Sequence, residues 1–143
     1  MGQQQEDRMI PASKLSEAFP EVPPGLHPMG ARVLVQLRTV REKTQSGIVL
    51  VEDTKQFNKG NTQLARVIEH GAIAFRNRDT GELWREGVWC RPGDYVRIPK
   101  FGGDRFSRII PGTKDEAVFA IFADHELIAR VEPEAFEALD ELL

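Results

Sequence analysis

The sequence predicts an all-β fold of short strands, with one short helix at its C-terminal end. Three observations lead there. Residues 31–38 alternate, with Val33, Val35 and Leu37 on one face. The apolar stretches at residues 63–69, 95–98 and 118–122 are short and rich in β-branched or aromatic residues. Turn formers, glycine and proline among them, bound several of these stretches. Helical spacing is plain only near the end, at Phe136, Leu139 and Leu143.

At 143 residues the chain is sized for one domain with a modest core. A hydrophobic content of 41% and a charged content of 29% are ordinary for a globular protein. No apolar run approaches the roughly 20 residues that span a bilayer, and the first residues lack the layout of a signal peptide. The one cysteine, Cys90, excludes an internal disulfide and suits a reducing compartment, so the expected location is the cytoplasm. The net charge of −3 is unevenly spread: residues 132–143 carry five acids and no base, residues 1–30 carry −2, and the middle is therefore +4. That excess does not demand a nucleic-acid partner.

In chain order, residues 1–30 read as an extended arm. A turn or two of helix fits before Pro20; then Pro20, Pro23, Pro24 and Pro28, with Gly25 and Gly30, forbid regular structure. Either the arm is a tail tied down only near the domain, or Leu26, Pro28 and Met29 pack on its rim or on a neighbouring subunit. The strand at residues 31–38 follows. Leu34, set among Arg32, Gln36 and Arg38, falls on its wetter face and is a candidate for a subunit contact.

Residues 39–61 form a long polar loop that carries Ile48, Val49 and Leu50 behind Gly47. Long polar loops in compact domains are uncommon and usually functional. The three aliphatics are buried either in their own core, as a plain interior strand, or in a partner. Burial in a partner would gain roughly 5–8 kcal/mol gross, at about 1.5–3 per side chain. Ordering several residues at roughly 1–2 kcal/mol each consumes most of that. One such loop binds feebly, whereas copies mounted together act through effective concentration.

A second strand runs over residues 63–69 and stops at His70 and Gly71. Residues 72–90 read as a hairpin around Asp79, Thr80 and Gly81. A turn at Pro92, Gly93 and Asp94 leads into the strand at 95–98. Residues 99–108 read as a basic, aromatic, glycine-bearing loop. With Arg97, the residues Lys100, Phe101, Arg105 and Phe106 would make a stacking platform for single-stranded nucleic acid. An apolar strand at 118–122, a turn at Asp124 and His125, and a last strand through Leu127, Ile128, Ala129 and Val131 complete the domain. Residues 132–143 form the helix, with Pro133 in its first turn.

Several stretches together resemble the GroES-like co-chaperonin family. Gly47, Ile48, Val49 and Leu50 are similar to its chaperonin-binding loop tripeptide with the preceding glycine. Residues 32–35, 65–71, 91–98 and 117–131 resemble its strands in the same order, with Ile98 where an aromatic is usual. The resemblance implies a small β-barrel over residues 31–131, with a mobile loop at 39–61 and a roof hairpin at 72–90. Arg76, Asn77, Arg78, Asp79, Thr80, Gly81 and Glu82 would form the roof. Arg76, Arg78 and Arg85 would repel around a ring axis unless Asp79, Glu82 and Glu86 pair with them. The closing strand would meet the first strand of the next subunit, which puts Val33, Leu34, Val35, Leu127, Ile128 and Ala129 at the interface.

The implied function is that of a non-enzymatic cap. It is a homo-oligomer, heptameric as in the family, which binds a GroEL-like chaperonin large subunit and encloses client proteins. No cofactor, metal or membrane is implied. The extra ends and enlarged middle point to a divergent member, with a phage origin, and hence a host cytoplasm, in view. Zinc-dependent alcohol dehydrogenases also contain a GroES-like barrel, but their metal ligands and nucleotide-binding half are missing here. No catalytic constellation emerges; His27, His70, His125 and Cys90 lack ligand spacing. The second reading is a β-barrel module for nucleic acid or for a virion.

Overall fold

A computed structural model describes residues 18–39, 63–132 and 134. Six strands form one antiparallel sheet: β1 (Arg32–Leu37), β2 (Leu64–His70), β3 (Tyr95–Arg97), β4 (Asp104–Ile109), β5 (Glu116–Ala123) and β6 (Ala129–Val131). Their order in the sheet is β4-β5-β1-β2-β3-β6. A 3-10 turn, Asp124–Glu126, links β5 to β6. Most of the helix expected over residues 132–143 falls outside the described residues.

Strand β1 is the centre of the sheet. It pairs with β2 on one edge, Leu37 opposite Ala65, and with β5 on the other, Val33 opposite Phe122. Its inward residues Val33, Val35 and Leu37 join Ala65, Val67, Val96, Ile98, Ala120 and Phe122 in the main core. Side chains from the connections, Phe75, Ala74 and Cys90, complete that core. Contributions from four strands to one cluster show the sheet wrapping its inner face, but β4 and β6 remain its two ends. Among the described residues no ladder joins them, so the implied barrel is an open one.

Leu34 corrects the sequence reading. It is fully buried, packed with Val22, Ala117 and Phe119 in a second cluster on the other face of the sheet. What covers it is the N-terminal arm. Val22 is buried and Leu26 packs against the Leu34 cluster, while Met29 is 75% exposed. Buried Gln36 donates to the Pro20 carbonyl at 2.9 Å and accepts from Arg66 at 3.2 Å, so its amide is satisfied beneath the arm.

One further segment differs from expectation. Residues 104–108, read as part of a loop, belong to the edge strand β4, which is in full register with β5 from Asp104 opposite Ile121 to Ile109 opposite Glu116. Residues 72–90, read as a hairpin, hold one bridge, between Arg76 and Leu83, with turns on either side. Gly71 explains the tight entry to that segment. Its N–H donates to the Arg32 carbonyl at 2.8 Å, and a Cβ there would run into the Gly30 carbonyl.

If Leu34 is core, Leu34→Ala should lower unfolding free energy by about 2–5 kcal/mol. Urea denaturation checks this. A loss within about 0.5 kcal/mol would return Leu34 to the surface.

Candidate functional site

Three features of this scaffold face outward: the root of the long loop, the short hairpin, and the free edge of β6. The root is closed by backbone hydrogen bonds. Arg38 N–H donates to the Leu64 carbonyl at 2.9 Å, and Thr39 N–H to the Ala18 carbonyl at 2.7 Å. On the far side Ile98 N–H donates to the Gln63 carbonyl at 2.9 Å, so the loop's return strand is held by β3 as well. Gly47, Ile48, Val49 and Leu50 lie outside the described residues.

The hairpin turns tightly between Phe75 and Trp84. Trp84 N–H donates to the Phe75 carbonyl at 3.1 Å, and Asn77 N–H to the Glu82 carbonyl at 2.8 Å. The Asn77 side-chain oxygen accepts from Asp79 N–H and Thr80 N–H, the side-chain-to-backbone bonding that favours asparagine in turns. Gly81 takes the positive φ that the closing residue needs. Phe75 also has a positive φ of 65°, which is strained for a bulky side chain.

A residue that no motif marked holds this geometry in place. Asp124 is buried beneath the hairpin; one carboxylate oxygen accepts from Phe75 N–H at 2.7 Å and the other from the Arg78 guanidinium at 2.8 Å. The Phe75 ring is fully buried beside His70 and Trp89, with ring centroids 5.3 and 5.5 Å away. Burial, the largest single influence, pushes the Asp124 carboxyl up. The Arg78 hydrogen bond, the Phe75 N–H, the Arg78 charge and the His125 N–H together outweigh it, and hold the group below its ordinary value. The partners expected for Arg76, Arg78 and Arg85 are not the ones found. Arg78 is paired with Asp124, and Arg76 folds back onto the Gly81 carbonyl at 2.9 Å. Among the described residues Asp79, Glu82 and Glu86 form no ion pair with these arginines.

Strand β6 pairs with β3 alone, Tyr95 opposite Val131, and its outer edge is open among the described residues. Ile128 is 55% exposed, Ala129 is exposed, and Leu127 turns inward against the main core. Val33, Leu34 and Val35 are different. All three are buried, and both backbone edges of β1 pair within the chain. Beside β6, Trp89, Cys90, Val96 and Leu127 line a groove of about 360 Å³. Burial pushes the Cys90 thiol up to about 11, with Asp94 adding to it, so the group stays protonated and unreactive near neutral pH.

The platform imagined for nucleic acid is dispersed. Phe106 stacks on Phe119 at 5.4 Å, and Arg105 lies over the Phe122 ring at 5.7 Å, while Arg97 reaches Gln63. Only Lys100 and Phe101 remain together at the surface. Among the described residues no group of three or more His, Cys, Asp or Glu side chains could hold a metal ion. No helix among them is long and apolar enough to cross a membrane.

Residues 25–131 match the family described as Chaperonin 10 Kd subunit, a span covering every strand and the loop between β1 and β2. The chain belongs to that family. It is a co-chaperonin, the partner of a GroEL-type chaperonin, and not an enzyme. No curated protein matches the chain, and the phage origin considered above gains no support. The matched span makes the loop root, the hairpin and the β6 edge parts of one co-chaperonin scaffold.

Asp124→Asn keeps an acceptor for Phe75 N–H but removes the charge that pairs with Arg78. At neutral pH it should cost about 1.5–3 kcal/mol, as for a hydrogen bond to a charged group. The folded value of Asp124 lies below the unfolded value of about 3.9. Its contribution is therefore complete above that pH and drains away as pH falls through the depressed folded value. Urea unfolding over a pH series should show the deficit of the variant shrinking below about pH 4. A deficit that stays constant into acid would show that the charge contributes nothing.

Proposed function

We propose that this co-chaperonin works as a ring, heptameric as is usual for its family, that caps a GroEL-like chaperonin and closes a chamber around client protein in the cytoplasm. Gly47, Ile48, Val49 and Leu50 enter an apolar groove on the large subunit. Residues 76–82 line the roof of the cap. Ile128 and Ala129, on the open edge of β6, contribute to the contact between subunits. ATP binding and hydrolysis belong to the large subunit.

The observation that carries this reading is the family match, whose span includes both strands that bracket the loop. Physical arithmetic supports it. Three aliphatic side chains gain roughly 5–8 kcal/mol on burial, and ordering the loop takes back most of that. A grip this weak is useful only when repeated, because effective concentration then multiplies it while each contact still releases readily. The open edge of β6 supports the ring, since an unpaired strand edge is best satisfied by another chain.

The test mixes the full chain with a GroEL-type chaperonin and ATP. The double variant Ile48→Ser and Leu50→Ser should lose capture by at least tenfold while its free assembly keeps the parent's mass. Capture equal to the parent's would remove the loop from the contact.

A further inference from the structure

We propose that residues 18–24 are a strap that fixes the root of the 39–61 loop, and thereby sets how tightly the loop grips the chaperonin; the proposal rests on the loop assignment above. These residues precede the family match, which begins at residue 25. They are nonetheless well packed. Ala18, Phe19 and Val22 are all buried, Phe19 to 2% exposed.

The strap is fastened along its length. The Ala18 carbonyl accepts Thr39 N–H at 2.7 Å, and the Phe19 ring packs on Leu64 and Tyr95, with the Tyr95 ring centroid 5.2 Å away. The Arg66 guanidinium lies over the same ring at 5.9 Å. Further on, Pro20 accepts from Gln36 at 2.9 Å and Pro24 from Arg108 at 3.1 Å. Phe19 therefore sits on Leu64, where the loop returns to the sheet, while Ala18 bonds Thr39, where it departs.

That placement changes where the loop begins. The β1–β2 ladder ends at Leu37 opposite Ala65, and one more bond, Arg38 to Leu64, follows it. Thr39 N–H, just beyond the ladder, is held by the strap. Backbone fixed before docking need not be ordered during docking, so a held root strengthens the bound state. Around a ring the saving is repeated in every subunit. A strap that only stabilised the fold would not need to bond the loop's departing residue.

The experiment compares three full-length variants with the parent: Phe19→Ala, the loop double variant Ile48→Ser and Leu50→Ser, and Val118→Ala. Val118 packs against the main core and touches no strap residue in its cluster, so it controls for lost stability alone. Amide exchange at Thr39 and capture by chaperonin with ATP are read on each. Phe19→Ala should speed exchange at Thr39 about tenfold or more and weaken capture about tenfold or more, with assembly mass unchanged. Val118→Ala should leave both readouts near the parent's. Parental capture by Phe19→Ala, beside lost capture by the loop variant, overturns the strap's role alone. Capture lost equally by Phe19→Ala and Val118→Ala overturns it too, in favour of plain stability. Parental capture by the loop variant overturns the loop assignment and the strap's role with it.

Discussion

Strand β1 is hydrogen-bonded on both edges and covered on both faces, so the sheet's central strand is wholly committed to its own protomer. Every other feature is arranged around that commitment. The inner face of β1 joins the main core, and its outer face requires a cover, which the proline-rich arm supplies through Val22 and Leu26. Prolines suit such a cover because the arm's carbonyls are taken by Gln36 and Arg108 side chains, with few N–H groups left to satisfy. Contacts with other molecules must then come from elsewhere. The strand ends β4 and β6, the hairpin and the long loop are what the fold leaves available.

The hairpin shows how a polar group is made to serve a fold of this size. A buried carboxylate is costly unless fully paired. Asp124 has a backbone donor from Phe75 and a guanidinium from Arg78, one on each oxygen. The pair joins the 3-10 turn after β5 to a hairpin that has only one bridge of its own. The strained φ at Phe75 is tolerated because its N–H and its ring are both held. In the roof proposed above, an arginine already neutralised within its own protomer would add less repulsion between copies.

Much of the fold was legible from the residues alone. The alternation of Val33, Val35 and Leu37, the stretch at 63–69 and the apolar run at 118–122 each marked a strand that exists. Leu34 was misread because its neighbours Arg32, Gln36 and Arg38 look wet, and its cover comes from a segment without periodicity. Strand β4 was hidden by Gly102, Gly103 and three arginine or aspartate side chains in six residues; edge strands need little hydrophobic signal. Asp124 could not be found because its partners stand 49 and 46 residues away and it belongs to no motif. The role proposed for Gly47, Ile48, Val49 and Leu50 rests on resemblance, since composition alone left an interior strand equally open.

The central claim is that a protomer with its middle strand fully used offers only its sheet ends and loops to others, and that these assemble it into a closed cap. Native mass measurement of the intact chain, alone and with a GroEL-type chaperonin and ATP, tests this most directly. The account predicts a single closed assembly of several protomers that adds to the chaperonin only when nucleotide is present. A monomer that leaves the chaperonin's mass unchanged with ATP would contradict it.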